Sequence, residues 1–318
     1  MKQVVRFIWL IAALVLTLSC DHKELLYDVD WTVALNVNFD WSKAPTANPE
    51  GMSVYMFDLD KPGTRPERYD LIGKNGGRIK IVPGNYSFVC INNDVENILF
   101  RNDRSFDDYS IYTRNITMES GMNINSRFST LTRAELPSAD DKFIMSPDSC
   151  WTGTVRNVEV VKDEPDRNIT FVPEISVVTI DVIITDALNI RYSTEFGGTL
   201  DNMSSSFRLS DRTVGTTPVY YSFPIYSDGG STLTSSFTVF GYDPVTMRNH
   251  SLTVYAKLPD GREWSKKFDV TDQILNAPDQ KHIVIRLSGL EVPKPIVNGS
   301  GFRPKVDDWL TKEIEVTM

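Results

Sequence analysis

The chain has 318 residues, of which 41% are hydrophobic, and its formal net charge is −9. This length predicts about two domains and a core large enough to fold without disulfides or metals. The ordinary composition excludes a disordered, collagen-like or disulfide-scaffold protein. A net-acidic chain gains no counterion release on DNA or RNA, so nucleic acid is not an expected partner.

The first twenty residues have the proportions of a bacterial signal peptide. Lys2 and Arg6 form a positive region, and the apolar run 7–18 is shorter than the roughly 20 residues that span a bilayer. The run ends at Cys20, which resembles the lipobox of bacterial lipoproteins, although Thr17 stands where Leu is usual. This resemblance predicts removal of residues 1–19, acylation of Cys20 and a lipid-anchored place in the outer membrane. The alternative is a soluble secreted protein.

Residues 20–30 are expected to form a lipidated tether. Its first part, Asp21-His22-Lys23-Glu24, resembles the surface-export signal of Bacteroidota lipoproteins and favours display on the cell surface. The alternative is a solvated linker without a signal. Because the rest of the chain is acidic, contact with the membrane is expected through the lipid only.

Alternating apolar and polar residues predict the strands of the first half. Trp31–Phe39 alternates strictly over nine residues, as a half-buried strand does. Further strands are predicted at Ser53–Phe57, Arg78–Val82, Tyr86–Ile91, Ile111–Met118, Val155–Val161 and Ile169–Val172. The Pro83-Gly84 turn predicts a hairpin between the strands on either side of it.

The second half repeats this pattern. Strands are predicted at Ile175–Ile184, Phe237–Phe240, Ser251–Leu258, Arg262–Phe268 and His282–Leu287. The first of these is so rich in β-branched residues that burial on both faces is expected. Pro259-Asp260-Gly261 predicts a second hairpin.

The chain ends in a run of alternating residues, in which Ile314, Val316 and Met318 are apolar. A strand at a chain end is expected at a sheet edge, where its free backbone groups can pair with another chain. These three residues are therefore a candidate partner strand. The alternative is that the run completes a sheet of its own chain.

Short strands with turn signals, and no long amphipathic helix, predict an all-β protein of two sandwiches. We place them at residues 31–172 and 173–318. The predicted core includes Val33, Leu35, Val37, Tyr86, Phe88, Val178, Ile180, Val182, Leu252 and Val254.

The sequence contains no recognisable catalytic or metal-binding set. His22, His250 and His282 have no Cys or His partner at ligand spacing. Asp58-Leu59-Asp60 begins like a calcium-binding loop, but the twelfth position is Tyr69 instead of Glu. Nucleophile-elbow and phosphate-binding motifs are absent. We expect no enzyme, no catalytic residue, no metal and no cofactor.

Two cysteines remain in the chain after Cys20. Cys90 and Cys150 could form a disulfide in an oxidising compartment. Each could equally be a plain buried apolar side chain, which is common for cysteine.

Several segments together resemble a family of Bacteroidales surface lipoproteins related to fimbrillins and fimbrial anchor subunits. They are Phe39-Asp40-Trp41-Ser42, Asn48-Pro49-Glu50-Gly51-Met52, Pro83-Gly84-Asn85-Tyr86, Asn92-Asn93-Asp94, Glu96-Asn97-Ile98-Leu99-Phe100-Arg101, Phe268-Asp269-Val270-Thr271-Asp272-Gln273 and Val306-Asp307-Asp308-Trp309. The resemblance implies two tandem transthyretin-like β-sandwich domains and a role in or near surface fimbriae.

One departure from that superfamily concerns polymerisation. Its polymerising pilins are cut by an Arg-specific protease after their first strand, which opens a groove for a neighbour's strand. Here no Arg lies between Trp31 and Arg65. The resemblance therefore implies a lipid-retained fimbrial anchor or accessory subunit, with fimbrial subunits or other cell-surface proteins as partners.

A second hypothesis is a glycan-binding surface lipoprotein. Sandwiches bind sugars on aromatic platforms, and the chain offers Trp31, Trp41, Trp151, Trp264 and Trp309. The regular alternation around Trp31 favours a core position. The less regular segments around Trp41 and Trp309 favour exposure. A third hypothesis, a hydrolase, has no motif to support it.

Overall fold

The computed structural model describes residues 32–124, 128, 131, 137, 138, 140–162 and 167–296. In chain order, the first half contains β1 (Val33–Phe39), β2 (Gly51–Asp58), β3 (Glu67–Ile72), β4 (Gly77–Ile81), β5 (Gly84–Asn92), β6 (Leu99–Arg101), β7 (Ser110–Tyr112), β8 (Asn115–Ile116), α1 (Met118–Gly121), β9 (Phe143–Ile144), β10 (Trp151–Val160), β11 (Arg167–Phe171) and β12 (Glu174–Ile175).

The second half contains β13 (Val178–Thr185), β14 (Glu195–Ser204), β15 (Ser206–Arg208), β16 (Thr213–Val214), β17 (Pro218–Pro224), β18 (Tyr226–Ser227), β19 (Leu233–Val239), β20 (Ser251–Lys257), β21 (Glu263–Asp269), α2 (Thr271–Leu275) and β22 (His282–Ser288). Single 3₁₀ turns lie at Trp41–Lys43 and Ile190–Tyr192. The all-β prediction is confirmed, whereas the transthyretin-like arrangement stays a prediction.

The first sandwich packs a three-stranded sheet, in the order β11-β1-β4, against a five-stranded sheet, in the order β12-β10-β5-β2-β3. Alternate residues of β1 point inward, so Leu35 and Val37 are buried while Asn36 and Asn38 lie on the outer side. They share one core cluster with Met52, Val54, Phe88 and Phe171. Burial of this apolar surface is what holds the two sheets together.

The second sandwich contains a four-stranded sheet, in the order β18-β19-β13-β22, and a six-stranded sheet, in the order β21-β20-β14-β17-β9-β8. Ile180 and Val182 of one sheet belong to the same core cluster as Leu252 and Val254 of the other. A smaller sheet, in the order β16-β15-β7-β6, combines strands from both halves of the chain.

Residues 99–145 connect the two halves. β7 pairs with β15, and β9 pairs with β17, so this stretch contributes strands to sheets formed by residues beyond 172. The stretch also covers the outer face of the five-stranded sheet, which is why β2 and β5 are buried on both faces. The boundary at 172/173 between the two predicted sandwiches therefore stays a prediction.

The core prediction is confirmed at all ten positions. Each has a relative exposure of 6% or less. The Pro259-Asp260-Gly261 hairpin is also confirmed, since β20 and β21 pair antiparallel along their whole length. The periodicity succeeded here because alternate residues of a strand point to the same face.

Two other expectations are wrong. β4 pairs with β1, while β5 pairs with β2 and β10, so Pro83-Gly84 carries the chain from one sheet to the other instead of closing a hairpin. β13 is not buried on both faces. Its inward residues are buried, whereas its outward residues are partly or fully exposed.

Candidate functional site

The residues predicted to carry function lie outside the described part of the chain. Cys20, Ile314, Val316 and Met318 therefore stay predictions. The described part of the chain begins at Thr32 and ends at Ile296. The candidate sites for a partner are therefore sought around these two points and where the two sandwiches meet.

The N-terminal strand is held within its own sandwich. β1 pairs in parallel with β11 and antiparallel with β4, so both of its backbone edges are occupied. Immediately after it, Asp40 N donates to Phe171 O at 2.8 Å, and Ser42 N donates to the Asp40 carboxylate at 2.9 Å. Trp41 Nε1 donates to Lys74 O at 2.8 Å. The first sandwich therefore has no vacant strand position at β1.

The C-terminal segment crosses from one sheet of the second sandwich to the end of the other. After β22, Leu188 N donates to Leu290 O at 2.7 Å, and Val292 N donates to Leu188 O at 3.1 Å. Ile296 N then donates to the Asp260 carboxylate at 2.6 Å. This bond is the main reason that the pKa of Asp260 is lowered. The described part of the chain thus ends beside the turn between β20 and β21.

Arg212 joins the small sheet to the first sandwich. Arg212 Nη1 donates to Thr152 O at 2.9 Å and to Thr152 Oγ1 at 2.8 Å, and Nη2 donates to Ile175 O at 3.1 Å. Its Nε lies 3.7 Å from the Glu174 carboxylate, which also pairs with Lys43. Burial lowers the pKa of Arg212, but a guanidinium starts so high that it stays charged. The joint is therefore a fixed, ionic contact.

A cavity of about 630 Å³ lies between β17, β19, α1 and residues 145–149. Its walls carry the hydroxyls of Ser120, Ser146, Ser149, Thr179, Ser222, Ser236 and Thr238. Ser222 Oγ is buried with no hydrogen-bond partner. The Asp148 carboxylate is already occupied by Glu96 N, Asn97 N and Asn97 Nδ2 at 2.6–3.0 Å. The cavity is polar and lacks a free carboxylate pair for acid–base chemistry.

No tryptophan forms an exposed platform in the described part of the chain. Trp41, Trp151 and Trp264 are all half-buried, and Trp31 and Trp309 lie outside it. The exposure expected for Trp41 is therefore only partial, because its ring packs beside Phe39 at 6.3 Å between centroids. Sequence periodicity could not find this contact, since Trp41 follows the end of a strand.

Both described cysteines are free, buried thiols. Burial raises the pKa of Cys90, and it raises the pKa of Cys150 to about 12. Thiols in this state are poor nucleophiles and poor metal ligands. Across the described residues, no three His, Cys, Asp or Glu side chains meet as a metal site would require. The same residues include no helix of sufficient length and hydrophobicity to cross a membrane.

A curated relative and two solved structures are similar to this chain. A protein of Bacteroides ovatus named "Putative fimbrium anchoring subunit Fim4B" is 23% identical over 236 residues, which are 74% of this chain and 64% of that relative. The matched region thus spans just under two thirds of the relative's length.

The solved structures show the same fold at low identity. A crystal structure of a "putative adhesin" from Bacteroides ovatus has a TM-score of 0.62 and 21% identity, and the match covers 88% of this chain and 98% of that one. The fimbrial anchor protein Mfa2 from Porphyromonas gingivalis has a TM-score of 0.50 and 16% identity, with 81% and 90% covered.

These matches confirm the resemblance to Bacteroidales fimbrial proteins. A family model described as a domain of unknown function, DUF5119, matches residues 19–224. That range is more than half of the sequence and includes the first sandwich and the joint at Arg212. The chain belongs to the DUF5119 family.

Proposed function

We propose that the protein is a lipid-anchored structural protein of the cell surface that serves as a fimbrial anchor or accessory subunit. The observation that carries this proposal is the match, over 74% of the chain, to a relative named as a fimbrium anchoring subunit. The proposed role needs protein–protein contacts and no catalytic residue, metal or cofactor. Its partners are fimbrial subunits or other cell-surface proteins.

The geometry of β1 supports an end position in a polymer. A subunit that extends a fimbria by strand exchange must both donate a strand and offer an empty strand position. In this chain β1 fills its own position between β11 and β4. The molecule then has one joining surface and ends the polymer instead of extending it.

The joint at Arg212 supports a load-bearing role. A pulling force on the second sandwich must pass to the lipid tether through the first sandwich. Three hydrogen bonds and an ion pair from one side chain fix that path. Because they break together, they resist separation better than independent surface contacts.

Acylation of Cys20 is the membrane attachment in this proposal. More than one acyl chain gives stable anchoring, since each buried CH₂ contributes about 0.8 kcal/mol. Cys20→Ala should move the protein from the outer-membrane fraction to the soluble fraction. Cys150→Ala, which removes a buried thiol, is the matched control and should stay in the membrane fraction. Retention of Cys20→Ala in the membrane would overturn the lipid assignment.

The terminal run with Ile314, Val316 and Met318 is the proposed joining strand. Each backbone hydrogen bond contributes only about 0.5–1.5 kcal/mol net, so the apolar side chains must set partner choice. Deleting residues 314–318 should leave the fold and membrane attachment intact and abolish recovery of the fimbrial partner after surface crosslinking. A truncated protein that still recovers this partner would show that the run only completes its own sheet.

The anchor role itself is tested by shearing. Fimbriae sheared from cells should leave this protein on the membrane, and deletion of the protein should release longer or more fimbriae into the medium. If the protein is found in the sheared fimbriae at an amount similar to that of the main stalk subunit, it is a polymerising subunit and the proposal fails.

The glycan-binding alternative is favoured by one feature, the hydroxyl-lined cavity beside α1. Hydroxyls and amides can bond a sugar's own hydroxyls, although no exposed tryptophan lies beside them in the described residues. Binding on a glycan array that is lost in Ser146→Leu, with membrane attachment unchanged, would support this function.

A further inference from the structure

Three exposed aliphatic side chains gather at one end of the first sandwich. Leu59, Val82 and Val161 have relative exposures of 39%, 51% and 40%. All three adjoin the Pro83-Gly84 turn. Leu59 N donates to Asn85 O at 2.8 Å, Val82 precedes the turn, and Val161 follows Val160, which pairs with Gly84. We call this set the end patch.

The loops that present the end patch are held in place. The Asp60 carboxylate accepts hydrogen bonds from Asn85 N and Asn85 Nδ2, both at 3.0 Å, and these bonds lower the pKa of Asp60. Lys61 Nζ lies 3.0 Å from the Asp58 carboxylate. Leu59 is therefore fixed in an outward position instead of folding back onto the sheet.

The chain enters the sandwich at this same end. Val33, the first residue of β1, pairs with Ile81, which directly precedes Val82. Only residues 21–31 separate Thr32 from Cys20. Eleven residues reach at most about 40 Å when fully extended. An acyl group on Cys20 thus keeps the end of the sandwich that carries the end patch within about 40 Å of the bilayer surface.

The opposite end of the sandwich provides a contrast. Ile72, which is 94% exposed, pairs with Gly51 at the first residue of β2, whereas Leu59 follows the last residue of that strand. The two ends are about 23 Å apart along the strand. A molecule tethered at Thr32 can bring the end patch to the membrane surface while Ile72 remains in water.

The sequence alone led us to expect membrane contact through the lipid only, but the structure adds an apolar surface at the tethered end. We propose that the end patch rests on the lipid surface once Cys20 is inserted, so that the body stands on the membrane in one orientation. This inference rests on the lipid anchoring proposed above. Three partly exposed aliphatic groups bind a bilayer weakly by themselves. Tethering makes their contact intramolecular, and the high effective concentration of lipid then suffices to keep them at the interface. The joint at Arg212 carries the same orientation to the second sandwich.

Cysteine labelling tests this placement. The acylated protein is purified and placed in vesicles of phosphatidylethanolamine and phosphatidylglycerol, with either Val82→Cys or Ile72→Cys. Because Cys90 and Cys150 are buried, a membrane-impermeant maleimide reports on the introduced thiol. We expect Val82→Cys to react at least tenfold more slowly in vesicles than in the soluble Cys20→Ala background, and Ile72→Cys to react equally in both.

A second variant separates lipid contact from mere closeness to the bilayer. Adding Leu59→Asp and Val161→Asp to the acylated Val82→Cys protein should restore fast labelling, because buried carboxylates oppose insertion. Slow labelling that persists in this variant would overturn the proposal. So would equal rates for Val82→Cys and Ile72→Cys in a protein that is bound to the vesicles. A protein that fails to bind the vesicles at all would instead refute the lipid anchoring.

Discussion

Arg212 has a backbone conformation that side chains usually avoid. Its φ is 59°, in the left-handed region, which costs a residue other than glycine about 1 kcal/mol or more. The turn is fixed by Asp211, whose carboxylate accepts hydrogen bonds from Thr213 N at 3.3 Å and from Thr213 Oγ1 at 2.7 Å. The contacts of the guanidinium with Thr152 and Ile175 compensate for the cost.

Arg212→Met should lower the free energy of unfolding by about 2–4 kcal/mol, because two partly buried carbonyls and one hydroxyl lose their donor. The variant retains the backbone strain and most of the side-chain volume, so the loss reports on the polar contacts. Urea unfolding measures it. Arg208→Met is the control, since its exposed pair with Asp211 contributes about 0–1 kcal/mol. Equal losses in the two variants would contradict the role of Arg212 as a joint.

His250 is a buried histidine with an unpartnered ring nitrogen. Its Nε2 has no hydrogen-bond partner, its Nδ1 lies 3.4 Å from Asp201 O, and its ring meets Tyr242 edge-on at 5.1 Å. Burial lowers the pKa of His250 despite the opposing influence of Asp201. The neutral ring is therefore the form that the fold accepts.

The sign of the resulting pH dependence is determined by this lowered pKa. Below the ordinary value of about 6.5, the unfolded chain binds a proton that folded His250 does not, so stability falls as pH drops. The loss of stability is at most about 1.4 kcal/mol per pH unit.

His250→Phe should remove this loss of stability, as measured by urea unfolding at pH 7.5 and 5.5. His282→Phe, at an exposed position of β22, should retain it. An unchanged pH dependence in His250→Phe would contradict the prediction.

At the scale of elements, strict alternation identified β1, a strand with one buried face. It missed β14, whose sequence contains Gly197-Gly198 and polar residues that are rare in strands. The structure shows why glycine is needed at both positions. A Cβ on Gly197 would lie 2.5 Å from Met122, and a Cβ on Gly198 would lie 2.4 Å from Phe223. Close packing on both faces, which no local pattern reveals, makes this a strand.

The predicted strand Ile111–Met118 shows a second limit of local patterns. The structure divides it into β7, β8 and the start of α1. Thr117 ends the extended stretch, because its side chain accepts a hydrogen bond from Ser120 N and so caps the helix. The capping signal is visible in the sequence, but the apolar alternation around it favoured a continuous strand.

Gly198→Ala should destabilise the six-stranded sheet. Phe223 cannot move away from the new methyl group, because its ring is buried and stacks on Phe237 with 4.0 Å between centroids. Overpacking of this kind costs about 1–3 kcal/mol, and thermal unfolding should show a lower Tm. Gly230→Ala is the control, since a Cβ there meets only the exposed Asp228 side chain, at 3.3 Å. A Tm of Gly198→Ala equal to that of the control would refute the packing argument.

At the scale of the whole molecule, the sequence predicted the all-β class correctly but not how the halves meet. Tyr55 and Phe57 of β2 point away from the core of the first sandwich. They pack on Tyr109, with ring centroids 5.6 and 5.1 Å away. These contacts join residues more than fifty positions apart, and Arg212 reaches Thr152 across 60 positions. Periodicity reports only that a face is buried, not what buries it.

The shared packing leads to a prediction about unfolding. The outer face of the five-stranded sheet, with Tyr55, Phe57, Val89 and Ile91, belongs to the same buried cluster as the core of the second sandwich. If one sandwich unfolded alone, this face would be exposed to water at about 25 cal/mol per Å² of apolar area. Neither half can therefore open without destabilising the other.

The chain without its signal peptide, carrying Cys20→Ala to keep it soluble, should unfold in a single cooperative transition. Calorimetric and van't Hoff enthalpies should agree, and near- and far-ultraviolet circular dichroism should change at the same urea concentration.

Tyr109→Ala removes the ring that contacts both Tyr55 and Phe57, so it should weaken the coupling between the two sandwiches and split or broaden the unfolding transition. Phe128→Ala is the control, because it removes a buried ring on the outer side of the six-stranded sheet. It should lower the midpoint of unfolding without splitting the transition. Two separate transitions in the unaltered chain would mean that the sandwiches are independent, and that force on the second is not transmitted to the first through a common core.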